Sequence, residues 1–179
     1  MRDKFWNAAA IGCTTALAPW LRDHGSLTQR IQQRCQRFAV QPVRSGLMRV
    51  AFDESALLDI APHQLAYSRE VLLCADDQPV VFAHSTCAPR HLRGAWSAVA
   101  HLGNKPLGAL LFSHPLIERR PLHYKLLRAN HALYKQTGAM LENTPAQLWA
   151  RRSLFILHGA PLLVTEVFLP GILLLTKPA

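Results

Sequence analysis

Acidic side chains are scarce in this sequence. Eleven aspartates and glutamates stand against twenty lysines and arginines, and with neutral histidines the formal net charge is +9. That balance favours an anionic partner. Nucleic acid is the first to consider, but the basic residues are scattered: Arg30, Arg34 and Arg37, then Arg90 and Arg93, then Arg119, Arg120, Lys125 and Arg128. No zinc-finger spacing and no aromatic RNA-binding signature accompanies them, so no nucleic-acid partner is expected. A small anionic metabolite fits the same charge. Cysteine is sparse too: Cys13, Cys35, Cys74 and Cys87 form no C-x-x-C, and the nine histidines form no H-E-x-x-H. A disulfide framework and a structural zinc site are therefore excluded, leaving the reduced thiols of a cytoplasmic protein.

Long apolar runs are missing as well. Gly171 to Leu175 is far too short to span a bilayer. Arg2 and Lys4 precede an apolar patch ending in Ala16-Leu17-Ala18, which imitates a signal peptide, but Asp3 and Asn7 intrude. A leading helical segment over residues 1–19 and no membrane insertion are the expectation. There is no G-x-S-x-G, no dinucleotide fingerprint, no metal cluster and no acidic pair, so any chemistry should need no cofactor. With half of its 179 residues hydrophobic and no low-complexity tract, the chain suits one domain, residues 1–179.

What is present is alternation. In Pro161 to Pro170 (PLLVTEVFLP), Leu162, Val164, Glu166 and Phe168 share one strand face, which puts a carboxylate in an apolar row. Arg151 and Arg152 and the run Ser153 to Leu157 precede it across the turn His158-Gly159-Ala160-Pro161, a predicted hairpin. Leu65 to Cys74 and Val80 to Thr86, joined at Asp76-Asp77-Gln78-Pro79, predict a second hairpin. There Leu65, Tyr67, Arg69, Val71 and Leu73 share a face, so Arg69 sits among apolar neighbours as Glu166 does. A charge facing a core is costly unless paired. Either Arg69 and Glu166 pair with each other or each meets a ligand.

Elsewhere, Ser26 followed by Gln29 is a capping box for a helix from Leu27 to Arg37. Pro42 and Gly46 interrupt, and Met48, Val50 and Phe52 predict a strand ending near Asp53-Glu54. Residues 56–64 read as loop. Arg93 to Leu102 predicts a helix with Trp96 and Val99 inward and Gly103 as its stop. Gly103 to Gly108 lacks the phosphate-loop spacing and reads as a tight turn whose N–H groups could hold a carboxylate. Leu110 to Phe112 and Ile117 to Leu127 predict further strand. Residues 128–147 read as a long excursion, an insertion.

Three elements in this order, Arg69-Glu70-Val71-Leu72-Leu73-Cys74, Leu102 to Gly108 with Phe112 after it, and Arg151-Arg152-Ser153 leading to Thr165-Glu166-Val167-Phe168-Leu169-Pro170, resemble the chorismate pyruvate-lyases. The resemblance covers Trp20 to Pro170. It implies an α+β fold: a single antiparallel sheet with helices packed over it and an internal ligand site closed by flaps. It implies an enzyme that converts chorismate to 4-hydroxybenzoate and pyruvate in ubiquinone biosynthesis; the expectation is a monomer that uses no cofactor. By the same resemblance, Arg69 binds the ring carboxylate, backbone N–H groups of Leu27 and Leu107 complete its cradle, and Glu166 meets the 4-hydroxyl as base or orienting group. Leu27 stands where the family is expected to have methionine, which a backbone contact tolerates. The alternative is a sensor module of the same fold without catalysis, as in bacterial regulators carrying a winged-helix domain. Too few residues precede Ser26 here to form one.

Overall fold

The computed structural model describes residue 3 and residues 5–176. Its strands are β1 (Phe38–Arg49), β2 (Leu65–Ala75), β3 (Gln78–Cys87), β4 (Glu118–Arg119), β5 (His123–Leu127), β6 (Leu148–Leu157) and β7 (Ala160–Phe168). All belong to one antiparallel sheet in the order β1-β2-β3-β7-β6-β4, with β5 also paired to β6. The short helices are α1 (Ala18–Leu21), α2 (Leu27–Gln32), α3 (Phe52–Ser55), α4 (Leu107–Ser113) and α5 (Ala132–Gly138). The expected α+β architecture with a single antiparallel sheet is what forms.

Both predicted hairpins are present, and both turns are tighter than the sequence reading had them. Asp76 and Asp77 have φ of +47° and +66°, and His158 and Gly159 have +50° and +77°. Positive φ at both central positions gives the turn whose twist matches that of paired strands. Leu157 therefore pairs with Ala160, and counting back places Arg151 opposite Glu166. Arg151 and Arg152 lie inside β6, not ahead of it.

Several local expectations are corrected. The strand predicted over Met48–Phe52 lies earlier, because β1 passes through Pro42 and Gly46. It is an edge strand whose register shifts between Pro42 and Arg44, the setting in which proline's missing N–H costs least. Phe52 instead opens α3. The helix from Leu27 stops at Gln32, since Arg37 must already bond Asp76 as the chain enters β1. Ser26 caps it as expected, accepting from the Gln29 N–H at 3.4 Å. Arg93–Leu102 forms 3-10 turns over Pro89–Arg93 and Ser97–His101, with Gly94 between, and Trp96 and Val99 do point inward. Leu110–Phe112 is helical within α4, because Leu107 and Leu111 are buried four residues apart on one helix face. Pro121 lies in the gap between β4 and β5. Among the described residues the leading segment is mostly irregular rather than helical: α1 is its single helical turn there, and Asn7 pairs with Tyr124 at 2.9 and 2.8 Å. Met1, Arg2 and Lys4 lie outside the described residues. The excursion over residues 128–147 contains α5, which buries Leu133 and Thr137.

Helices cover both faces of the sheet. On the front, Trp20, Leu21, Leu27 and Ile31 pack on Val71, Leu73, Val81 and Phe168, while Trp96, Val99, Leu107 and Leu111 pack on Cys87, Phe155 and Leu162. On the back, Trp6 and Leu133 cover Phe82, Ala150 and Val167. Each such large side chain contributes about 1.5–3 kcal/mol on burial.

The back face also holds buried charge. His84 on β3 lies 3.2 Å from Glu70 and 3.4 Å from Glu54, with the Thr86 hydroxyl at 2.6 Å. Burial disfavours the imidazolium, but the two carboxylates outweigh it and raise the His84 pKa from its ordinary 6.5 to about 10. A raised folded-state pKa adds stability that is fully present below about 6.5 and lost as pH climbs through about 10. Stability by urea denaturation should therefore fall between pH 7 and 10, and His84→Gln should flatten that slope. Parallel slopes in the two proteins would refute the assignment.

Candidate functional site

The strand alternation that buries Val71, Leu73 and Phe168 also directs five polar side chains onto the front face. They are Arg69 on β2, Ser85 on β3, Glu166 on β7, and Arg151 and Ser153 on β6. Registers Arg69–Ser85, Ser85–Val164 and Val164–Ser153 put these in one cross-strand row, and Ala83–Glu166–Arg151 in the next. Between this floor and the starts of α2 and α4 lies a slot of about 640 Å³ including its mouth. Leu27, Val40, Val71, Leu73, Leu107 and Phe155 give it apolar walls. A few convergent polar groups in an apolar cavity are what a small-molecule site requires.

The structure brings together all four residues singled out in the sequence. Arg69, Leu27, Leu107 and Glu166 all line the slot. Leu27 and Leu107 are the first residues of α2 and α4, where N–H groups have no intrahelical partner. Gly108 permits the two helix starts to approach: a Cβ there would stand 3.0 Å from the Thr28 hydroxyl and 3.4 Å from that of Ser26.

Arg69 and Glu166 do not pair, which rules out the mutual salt bridge. Strand β3 separates them by two strand spacings, about 10 Å. Arg69 is 5% exposed and donates from Nη2 to the carbonyls of Gly103 and Lys105, each at 2.9 Å. The 103–105 turn thus meets Arg69 with its carbonyls. Burial pulls the Arg69 pKa down, yet guanidinium remains charged at any working pH. Nε and Nη1 make no hydrogen bond among the described residues, and they are what Arg69 can offer a ligand.

Glu166 pairs instead with Arg151, whose Nε donates to Oε2 at 2.5 Å. Arg151 is fully buried and also donates from Nη1 to the carbonyls of Asp23 at 2.6 Å and Trp20 at 3.1 Å. Arg119 on β4 bonds Ser153 at 3.3 Å through Nε and the His24 carbonyl at 2.7 Å through Nη1. Arginines on the sheet therefore fasten both covering segments, residues 20–24 and 103–105, through their carbonyls. Sequence reasoning quoted Arg151 and Arg119 but gave neither a role at the site. The two-residue turn at His158-Gly159 was the available signal for Arg151. Nothing local flags Arg119, whose strand is two residues long. The thiols offer no nucleophile here: all four are free, and burial pushes Cys87 up to about 12.

The family model described as chorismate lyase matches residues 4–177. Proteins named probable chorismate pyruvate-lyase are similar along nearly their whole length. That of Nitrosomonas europaea is 47% identical over 167 residues, covering 93% of this chain and 94% of the relative. That of Nitrosospira multiformis is 48% identical over 169 residues, covering 94% of each. Among solved structures, PhnF from Mycobacterium smegmatis superposes with a TM-score of 0.58 at 12% identity, covering 84% of this chain and 66% of that one. The C-terminal domain of the histidine utilization repressor from Pseudomonas syringae gives 0.52 at 14%, covering 75% and 93%. At such identities these two likenesses concern the fold alone.

Proposed function

The chain belongs to the chorismate lyase family, and from that premise we propose that it is a chorismate pyruvate-lyase releasing 4-hydroxybenzoate and pyruvate, the entry step of ubiquinone biosynthesis. The observation that carries this is the slot itself: a buried guanidinium and a partly buried carboxylate are held apart across an apolar floor. Arg69 takes the ring carboxylate, with the N–H groups of Leu27 and Leu107 as further donors. Glu166, its Oε2 engaged by Arg151, presents Oε1 to the 4-hydroxyl.

In the reaction the C3–O ether bond breaks and the C4 hydrogen leaves. The enolpyruvyl fragment gains a proton on carbon and departs as pyruvate. The product ring becomes aromatic, which supplies the driving force, so no cofactor is required. The protein's part is to hold the side chain over the ring in a reactive pose and to exclude water. The segments 20–24 and 103–105 act as the flaps over the bound molecule, in a single monomeric domain of the cytoplasm. A non-catalytic sensor reading draws only on distant fold likeness at 12–14% identity, whereas the lyase relatives stand at 47–48%.

Purified protein mixed with chorismate should generate 4-hydroxybenzoate, seen by its absorbance. Glu166→Gln distinguishes orientation from base catalysis. Gln keeps the size and an acceptor oxygen but cannot take a proton at neutral pH. A general base contributes roughly 10²–10⁴-fold. Orientation is our reading, because the enolpyruvyl carbon can itself receive the C4 hydrogen. The single-turnover rate should then fall by less than about a hundredfold, below that range. A folded variant slowed more than about a thousandfold would overturn orientation in favour of a base.

A further inference from the structure

The charges around the slot exceed what one ring carboxylate needs. Three guanidinium groups, Arg69, Arg119 and Arg151, and one carboxylate, Glu166, line it, a balance of two positive charges. Arg69 lies on β2, and Arg151 and Arg119 lie beyond Glu166 on β6 and β4, at the other end of the slot. Arg151 is fully buried, and its Nη2 has no hydrogen-bond partner among the described residues. A buried donor left unpaired costs free energy unless something accepts from it. Arg119 uses Nε on Ser153 and Nη1 on His24, and its Nη2 makes no hydrogen bond among the described residues. Its guanidinium lies 5.4 Å from the ring centroids of both Phe112 and Phe155, within cation–π range of each. Burial lowers the Arg119 pKa, opposed by the neighbouring charge of Glu166.

We infer that the Nη2 groups of Arg119 and Arg151 form a second carboxylate subsite, which holds the carboxylate of the enolpyruvyl side chain. This rests on the chorismate reading above. Chorismate carries two carboxylates, and two anionic charges neutralise the slot. The ether-bearing carbon adjoins the carbon bearing the hydroxyl, so a group that meets Glu166 brings the side chain toward Arg151 and Arg119. The subsite fixes the side chain's torsion over the ring, the orientation that makes an intramolecular transfer fast. It also separates substrate from aromatic product. 4-Hydroxybenzoate has one carboxylate and leaves the far subsite empty, while pyruvate carries the second carboxylate away.

Arg119 is the residue to change, because Arg151 also holds Glu166. Steady-state kinetics with chorismate and calorimetry with 4-hydroxybenzoate are measured on the wild type, Arg119→Met and Arg119→Lys. Met keeps an apolar stem against Phe112 and Phe155. The KM for chorismate should rise roughly tenfold to a hundredfold in Arg119→Met, the scale for one charged hydrogen bond. The 4-hydroxybenzoate Kd should stay within about twofold, since that molecule makes no contact there and an unchanged value also reports an intact slot. Lysine, a point charge on a flexible stem, should recover part of the loss. An Arg119→Met variant with unchanged KM, or one whose product affinity falls in step with KM, would overturn the subsite while leaving the lyase reading in place. A wild-type protein that forms no 4-hydroxybenzoate from chorismate would instead sink that reading, and this inference with it.

Discussion

Arg152→Met should destabilise the protein by about 3–5 kcal/mol, the cost of leaving a buried carboxylate without its cation. Arg152 is 2% exposed and joins distant parts of the chain on the back of the sheet. Its Nε and Nη2 donate to Asp3 at 2.6 and 2.8 Å, and Nη1 donates to Asp53 at 2.9 Å. Trp6 adds a bond from Nε1 to Asp53 at 2.8 Å and lays its ring 4.4 Å from the guanidinium. The arginine is thus the peg that fastens the leading segment and α3 to β6. Methionine matches the stem's volume, so the loss measured is electrostatic rather than a cavity. Urea denaturation of the variant gives the number, and a loss under about 1 kcal/mol would place the pair among weak surface bridges. Adding Asp53→Asn to Arg152→Met should restore part of the loss, because a neutral amide no longer needs the cation.

Arg69→Lys should weaken both chorismate and 4-hydroxybenzoate by roughly a hundredfold, about 3 kcal/mol, despite keeping the charge. Hydrogen bonds to a charged group contribute about 1.5–3 kcal/mol each, and lysine offers a point where the site uses a plane. Arg69 has two tasks. Its Nη2 holds the Gly103 and Lys105 carbonyls, and its remaining donors face the slot. A single ammonium cannot satisfy both carbonyls and a carboxylate from one position. Calorimetry with 4-hydroxybenzoate measures the change, and an unaltered Kd would make Arg69 a fastening for the 103–105 turn and nothing more. The contrast with Arg119 is informative. Loss at Arg69 should affect substrate and product alike, and loss at Arg119 the substrate alone.

Much of this was legible because strand alternation and two-residue turns are local. Asp76-Asp77 and His158-Gly159 identify both hairpins without any knowledge of the rest. The alternation of Leu65 to Leu73 and of Leu162 to Phe168 put Arg69 and Glu166 on apolar faces, where a charge demands a partner. Reading the second turn as four residues instead of two hid the Arg151–Glu166 pairing, since hairpin register follows from loop length. The α4 misreading has a similar origin: three successive apolar residues, Leu110 to Phe112, carry no period that separates strand from helix.

The sequence by itself determined the class of fold, the hairpins, the cap at Ser26, the buried Trp96 and Val99, and the family resemblance. Each of these rests on neighbours within a few residues or on a motif. Only the tertiary structure decided which charges meet. That β3 stands between Arg69 and Glu166, that Arg119 reaches Ser153 across 34 residues, and that Arg152 holds Asp3 across 149, follow from the order of strands in the sheet. Strand order is set by how the apolar faces of separate hairpins pack together, a contest among distant segments that no local pattern records. The physical consequence is at the slot. By alternation alone, a lone carboxylate among apolar residues could pair with Arg69 or meet a ligand. Folding gave it Arg151 instead, and so left Arg69 free to face a ligand.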